Sequence, residues 1–431
     1  MEKKVLGMVV GGGPAPGING VISSATIEAI NEGIEVVGVF GGFRTLFEGK
    51  ESDINPLTID DVSRLHNRGG SILRTSRDYP DNVQERFKVL MSTIRRLGID
   101  YLLTIGGEGT LYMANWINNE AQGDLRVAHV PKTIDNDIPL PGGLSTFGYE
   151  TARQVGVGIV TNLMEDAKTT GRWYFITTMG RHAGHLALGI GKAAGATVTL
   201  IPEEFSDDTV TIDQVSDILV GSIVKRLSMG KDHGVAIIAE GVSEKVVFDT
   251  QGYNGEVQKD EMGRVRLSDV PLGEALKRLS RKTLQSYGLN VTIVDKTVGY
   301  ELRSADPIPF DAAYTRDLGY GAVRFLLDGG SGATIISDAH DIHAVPFAEF
   351  IDEMGKSKVR KVDVNSQIYK VARDYMIRLE RADLEGKQLR RLAGIVGVKP
   401  DQFRERCEKT ISCHSPYCSI TKTGPCPVTP E

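Results

Sequence analysis

The chain has 431 residues, of which 41% are hydrophobic and 25% charged, and it carries a formal net charge of −6. That length exceeds one ordinary core, so two domains are expected. The acidic balance argues against nucleic acid or an anionic membrane as a main partner, and no apolar run approaches the roughly 18 residues of a membrane span.

Met1-Glu2-Lys3-Lys4 runs straight into Val5–Val10. That apolar run is too short for a secretion signal, and the cytoplasm is the expected location. Val5–Val10 reads as a strand, followed by the loop Gly11-Gly12-Gly13-Pro14-Ala15-Pro16-Gly17. Asn19 is placed to cap a helix whose face carries Ile22, Ala25, Thr26, Ala29 and Ile30. A second strand, Ile34–Phe40, completes a βαβ unit, which predicts a parallel sheet. Val83, Phe87, Leu90, Met91, Ile94 and Leu97 form a helical stripe that Gly98 closes, and the buried strand Tyr101–Ile105 follows. Gly106-Gly107-Glu108-Gly109-Thr110 comes next, and then the strand Val127–Val130, which feeds Pro131-Lys132-Thr133-Ile134-Asp135-Asn136-Asp137.

A helix is expected over Thr151–Asp166. The strand Trp173–Thr178 then opens a second α/β unit, with a helix over Leu186–Ala194 and strands at Thr197–Ile201 and Val235–Ala239. Ser243–Arg266 is polar and reads as an insertion. Val291–Val294 is a strand, Tyr314–Leu327 a helix and Thr334–Ile336 a strand; beyond Val362 the chain is charged and helical. The fold class is therefore α/β: two Rossmann-like three-layer domains with mostly parallel sheets and a helical C-terminal extension. The domains are expected at 1–150, with part of 290–360 returning to it, and at 151–290, with the extension and a Cys-containing tail over 361–431. All four cysteines, Cys407, Cys413, Cys418 and Cys426, lie in that last segment, with His414 among them. Their spacing fits no zinc pattern, and a plain tail is expected.

The heptapeptide 131–137 holds two carboxylates, a hydroxyl and an ammonium at the end of a strand, where open α/β sheets bind ligands. Phosphoryl transfer needs these groups: a base for the hydroxyl proton, a second carboxylate and a cation for developing charge. Taken alone, the segment fits an Asx-bonded turn equally well. The glycine loops exclude two rivals. Pro16 stands where a dinucleotide fingerprint needs Gly or Ala, and no acid follows the second strand. Gly355-Lys356-Ser357 ends like a Walker loop, but Phe350 occupies the place of its first glycine. Gly106–Thr110 suits phosphate oxygens against backbone amides, with Glu108 in reach of magnesium; it would also suit NAD or lipid kinases.

Taken together, seven blocks in order resemble the phosphofructokinase family. They are residues 12–19, 69–77, 106–110, 131–137, Met179–Gly184, Ala239–Gly241 and Gly299–Arg303, within a likeness running from Val5 to about Ile351. The resemblance implies a 6-phosphofructokinase using Mg2+, with Asp135 as the base on the 1-hydroxyl of fructose 6-phosphate, and Lys132 and Thr133 beside it in catalysis. It implies that the first domain binds the phosphoryl donor and the second fructose 6-phosphate. Sugar-phosphate contacts are implied for Thr133, Asp135, Asp137, Arg172, Met179, Gly180, Arg181, Glu240, Tyr300, Glu301, Leu302 and Arg303. Donor contacts are implied for Gly13, Arg77, Gly107, Gly109 and Thr110, and a metal-facing role for Glu108. Arg172 matches an arginine lent to a neighbouring subunit, which implies a homodimer or homotetramer. Glu108 is a methylene longer than the family's usual Asp, and little allostery is expected. Gly109 leaves room where pyrophosphate users carry Asp, whereas Lys132 is typical of pyrophosphate users. Weighing exclusion above attraction, the expected donor is MgATP, with pyrophosphate as the alternative. A non-catalytic sugar-phosphate sensor is the remaining rival.

Overall fold

The computed structural model describes residues 3–77, 83–205, 210–247, 271–338, 340–353 and 356–414. Its strands in chain order are β1 (Val5–Val10), β2 (Glu35–Val39), β3 (Ile54–Pro56), β4 (Tyr101–Gly106), β5 (Arg126–Pro131), β6 (Trp173–Thr178) and β7 (Val198–Leu200). They continue with β8 (Val210–Thr211), β9 (Gly234–Ala239), β10 (Val246–Val247), β11 (Ile293–Val298), β12 (Ala333–Ser337) and β13 (Ile342–Pro346). The chain divides into two units. The first takes in the described residues of Met1–Val155 and Gly299–Arg360, and the second those between Gly156 and Val298 and from Lys361 onward.

In the first unit the sheet order is β13-β12-β5-β4-β1-β2-β3. The five inner strands are parallel and the two edge strands antiparallel. Parallel strands are covered on both faces, so their sequences are nearly continuous apolar runs. One face packs Phe43, Phe47, Phe87, Leu111 and Ile117; the other packs Ile18, Val21, Ile22, Leu318 and Ala322. From β1 the chain runs to β2 on one side, then returns to β4 on the other. The sheet therefore has a topological switch between β1 and β4, and the loops leaving β1, β4 and β5 share its carboxyl edge.

The second unit holds an all-parallel sheet, β11-β6-β9-β7, and a short pair, β10-β8. Its helices include His185–Ala194, Ile212–Ser228 and Leu272–Ser286, and C-terminal ones at Gln367–Asp374, Gly386–Ile395 and Pro400–His414.

The α/β class with mostly parallel sheets holds. Several local expectations change. Asn19 does not cap its helix. The helix Ile18–Asn31 starts after Gly17, which adopts φ 103°. The Asn19 amide instead donates to the carbonyls of Arg68 and Gly69 and accepts from the Ile72 amide. The edge strands β3 and β13 are not expected from sequence, because an edge exposes half its residues and lacks an apolar run. The strand expected at Val291–Val294 lies at Ile293–Val298, and its polar centre, the half-buried Asp295 and the exposed Lys296 and Thr297, hides the strand pattern. Most of the insertion expected at 243–266 falls outside the described residues, as do Gly355, Cys418 and Cys426 and the side chains of Cys413 and His414. Cys407 is buried, and that burial pushes its thiol up to about 12, which leaves it unreactive.

Candidate active site

The first unit gathers a cationic group at the carboxyl edge of its sheet. Lys132 leaves β5 with its amide donating to the Gly106 carbonyl at 2.8 Å, which ties it to the end of β4. Its side chain is 4% exposed, and Nζ donates to the Gly13 carbonyl in the loop after β1. Burial pulls this ammonium down to about 7; Arg303 and Arg77 add to the shift, while Asp135 and Asp137 oppose it.

Both arginines lie against the same loop. A Cβ built on Gly13 would stand 3.0 Å from Arg77 Nη2 and 3.3 Å from Arg303 Cζ. A side chain at Gly13 would therefore meet both guanidinium groups. Arg77 is brought there by backbone pairing: Gly11 bridges Ser76, the Gly12 amide donates to the Ser76 carbonyl, and Thr75 Oγ1 donates to the Gly12 carbonyl. Arg303 lies over the Tyr300 ring at 5.4 Å, and Tyr300 is 61% exposed. Leu302 is fully buried and anchors that turn, while Glu301 is exposed and accepts from the Gly299 amide.

Gly107 precedes the helix Glu108–Ala121 and supplies no side-chain cap. Amides at an uncapped helix start suit phosphate oxygens. Gly109 lies in the first turn. Thr110 is fully buried, and a Cβ on either Gly11 or Gly106 would overlap its Oγ1. The two glycines therefore let the turns after β1 and β4 close over this threonine, whose side chain sits inside the turn.

The aspartate loop is equally defined. The Asp135 amide donates to Thr133 Oγ1, Thr146 Oγ1 donates to the Thr133 carbonyl, and Asn136 turns the chain with φ 55°. Asp135 and Asp137 flank Asn136 in this turn, and both are half-buried.

In the second unit Met179, Gly180 and Arg181 follow β6 and Glu240 follows its neighbour β9, while Arg172 precedes β6. Met179 is buried, and Gly180 (φ 128°) donates its amide to Glu240 Oε1 at 3.3 Å. Arg181 Nε donates to Glu244 at 3.2 Å. Arg172 Nε stands 4.0 Å from Asp166. The structure thus brings Gly13, Arg77, Lys132 and Arg303 together in one unit, and Gly180 and Glu240 together in the other.

Magnesium takes hard oxygen ligands, usually one or two carboxylates completed by substrate phosphates. Among the described residues no group of three or more His, Cys, Asp or Glu could hold a metal unaided. Glu108, at the start of the helix after β4, and Asp135 and Asp137, in the loop after β5, are on segments that leave the same sheet edge, and one or two of these carboxylates would need substrate phosphates to complete a magnesium site.

Two residues were missed from sequence. Glu203 accepts from the Gly184 amide and from the Val362 amide, so it fixes the start of the helix His185–Ala194. Arg360 reaches the aspartate loop. The basic run Lys356–Lys361 was a visible signal, but without a partner in sequence it had no assignable role.

A buried lysine, a half-buried arginine and an exposed arginine against a glycine loop at a sheet's switch point are the arrangement of a protein that handles phosphate. The family model described as Phosphofructokinase matches residues 5–326, and the chain belongs to that family. It is 52% identical over 410 residues to a pyrophosphate–fructose 6-phosphate 1-phosphotransferase of Thermotoga maritima, covering 93% of this chain and 97% of the relative. It is 45% identical over 409 residues to a protein of the same name from Naegleria fowleri, covering 92% and 94%. An ATP-dependent 6-phosphofructokinase of Mycobacterium bovis is 32% identical over 354 residues, covering 81% and 95%. The structure of a pyrophosphate-dependent phosphofructokinase from Nitrosospira multiformis matches with a TM-score of 0.65 at 16% identity, covering 88% of this chain and 93% of that one, and supports the fold.

The expectation of MgATP as donor is corrected by these relatives: the two with the higher identities are both named for pyrophosphate. The physical error lay in weighing space above charge. The space left by Gly109 was set above the charge of Lys132, and the relatives agree with the donor to which Lys132 pointed.

Proposed function

We propose that the chain is a pyrophosphate-dependent fructose 6-phosphate 1-phosphotransferase, moving one phosphoryl group from pyrophosphate to the sugar's 1-hydroxyl. The reading is carried by identity of 52% and 45% over more than nine-tenths of the chain to relatives of that name. The buried Lys132 supports it. In this reading Asp135 takes the hydroxyl proton as the new P–O bond forms, and inorganic phosphate leaves. Lys132, Arg77 and the amides after Gly107 hold donor oxygens, where preorganised charge acts on the transition state. Glu108, with Asp137, would hold Mg2+, which supplies charge neutralisation at the phosphates. Thr133, Tyr300 and Arg303 are assigned to the sugar phosphate on the first unit. On the second unit, Met179, Gly180, Arg181 and Glu240 are assigned to it as well. Arg172 is assigned to a neighbouring copy in a homo-oligomer.

The test is one assay with fructose 6-phosphate and magnesium, run with pyrophosphate and with ATP in parallel. Turnover with pyrophosphate well above that with ATP is expected. Turnover with ATP alone would overturn the reading.

A further inference from the structure

We propose that Arg360 is a positioning residue for this reaction, holding through Asn136 the loop that carries Asp135 and Asp137. The proposal rests on the function proposed above.

Asn136 lies between the two aspartates at φ 55°, a backbone region that L residues other than Asn and Asp rarely adopt. Such a turn persists only where its surroundings over-determine it. Its direction sets where the neighbouring carboxylates point, so whatever holds Asn136 aims both acids.

Arg360 supplies most of that hold. Its Nε donates to the Asn136 carbonyl at 3.0 Å, and its Nη2 donates to Asn136 Oδ1. Nη1 donates to the Leu144 carbonyl at 2.9 Å, and the Arg360 backbone amide donates to the Asp137 carbonyl at 2.6 Å. One planar fork thus grips the backbone and side chain of a single residue, and the main chain grips the next. Thr146 completes the set: its amide donates to Asn136 Oδ1 at 3.1 Å. A lysine could not reproduce this, because its single ammonium lacks the fixed fork.

The same stretch of chain reaches the metal-facing turn. Ser357 Oγ donates to the Glu108 carbonyl at 3.2 Å, three residues before Arg360. Residues 357–360 therefore connect the Glu108 turn with the aspartate loop. This strap lies outside the family match, which ends at residue 326. An arginine serving only to stabilise the fold would change melting but leave turnover per folded molecule unchanged. A positioning arginine should lower kcat while KM stays near its original value.

The experiment uses full-length Arg360→Ala and Arg360→Lys beside wild type, with fructose 6-phosphate, magnesium and pyrophosphate. Rates are normalised to folded protein from circular dichroism. For Arg360→Ala, kcat is expected to fall on the order of 10²-fold, the scale of a misplaced catalytic group. KM for both substrates should stay within about threefold. Dilute guanidinium should restore part of the lost kcat, because it replaces the missing donors. Arg360→Lys should fall between the two, and it carries the test by the same criteria if the alanine variant does not fold. A folded variant with kcat within about threefold of wild type, or a loss lying wholly in KM, would overturn the proposal. Wild-type turnover in the same assay separates the two readings: without it the functional reading itself falls.

Discussion

In the proposed function, Lys132 is the residue on which donor choice turns. Burial, with Arg303 and Arg77, disfavours its charge and pulls it down to about 7. Pyrophosphate would reverse that balance, so binding above pH 7 should draw a proton onto Nζ. Affinity for pyrophosphate should then fall as pH rises above 7, by up to about tenfold per unit while the bound lysine stays charged. Calorimetric titration at pH 7.5 and 8.5, in buffers of different ionisation heat, measures both the uptake and the slope. Lys132→Met should lose the part of that slope that pyrophosphate's own titration does not cause, and should bind more weakly at pH 7. The sign for folding is the opposite. The unfolded lysine, near 10.5, holds its proton between about 7 and 10.5 while the folded one does not, so its cost to stability fades as pH rises through that window. The identity of this residue was legible in the sequence. Its burial was not, since only the turns after β1 and β4 enclose it.

At the scale of elements, the strand-to-helix turns depend on what is missing from them. Gly11 leaves space that Thr110 Oγ1 fills, and a Cβ there would overlap it. Gly11→Ala should lower stability by about 1–3 kcal/mol, the usual cost of overpacking. Adding Thr110→Ala should recover most of that loss, because the clash is with the hydroxyl and the next nearest atoms lie at 3.3 Å. Urea melts of the two single variants and the double variant give the coupling. If the double variant is no more stable than Gly11→Ala, the packing account fails. The glycines were visible as loop signals, but a reading that gave Thr110 to the donor phosphates could not see that its side chain closes the turn from inside. Asn19 shows the same limit: its type suits a helix cap, yet its amide is used to hold the segment 68–72.

At the scale of the molecule, a buried ion pair is one of the bonds that tie the segment after Lys361 to the second unit. Arg378 and Glu204 are 6% and 3% exposed and bonded to one another. Removing one partner strands the other charge, so Arg378→Ala should cost about 3–5 kcal/mol. The two tryptophans make this measurable, since Trp116 lies in the first unit and the fully buried Trp173 in the second. In a Trp116→Phe background, Trp173 fluorescence should show an earlier urea transition when Arg378 is replaced. An unchanged Trp173 transition would show that the pair is not what holds this segment. From its order of residues alone the chain already settled the α/β class, the parallel inner strands and the glycine-rich loops at their ends, because apolar runs and glycine turns are local signals. The grip of Arg360 on Asn136, the burial of Lys132 and the Arg378–Glu204 pair were decided only by folding. Each joins residues more than a hundred positions apart, and a charge has no partner or dielectric until the chain has brought its surroundings together.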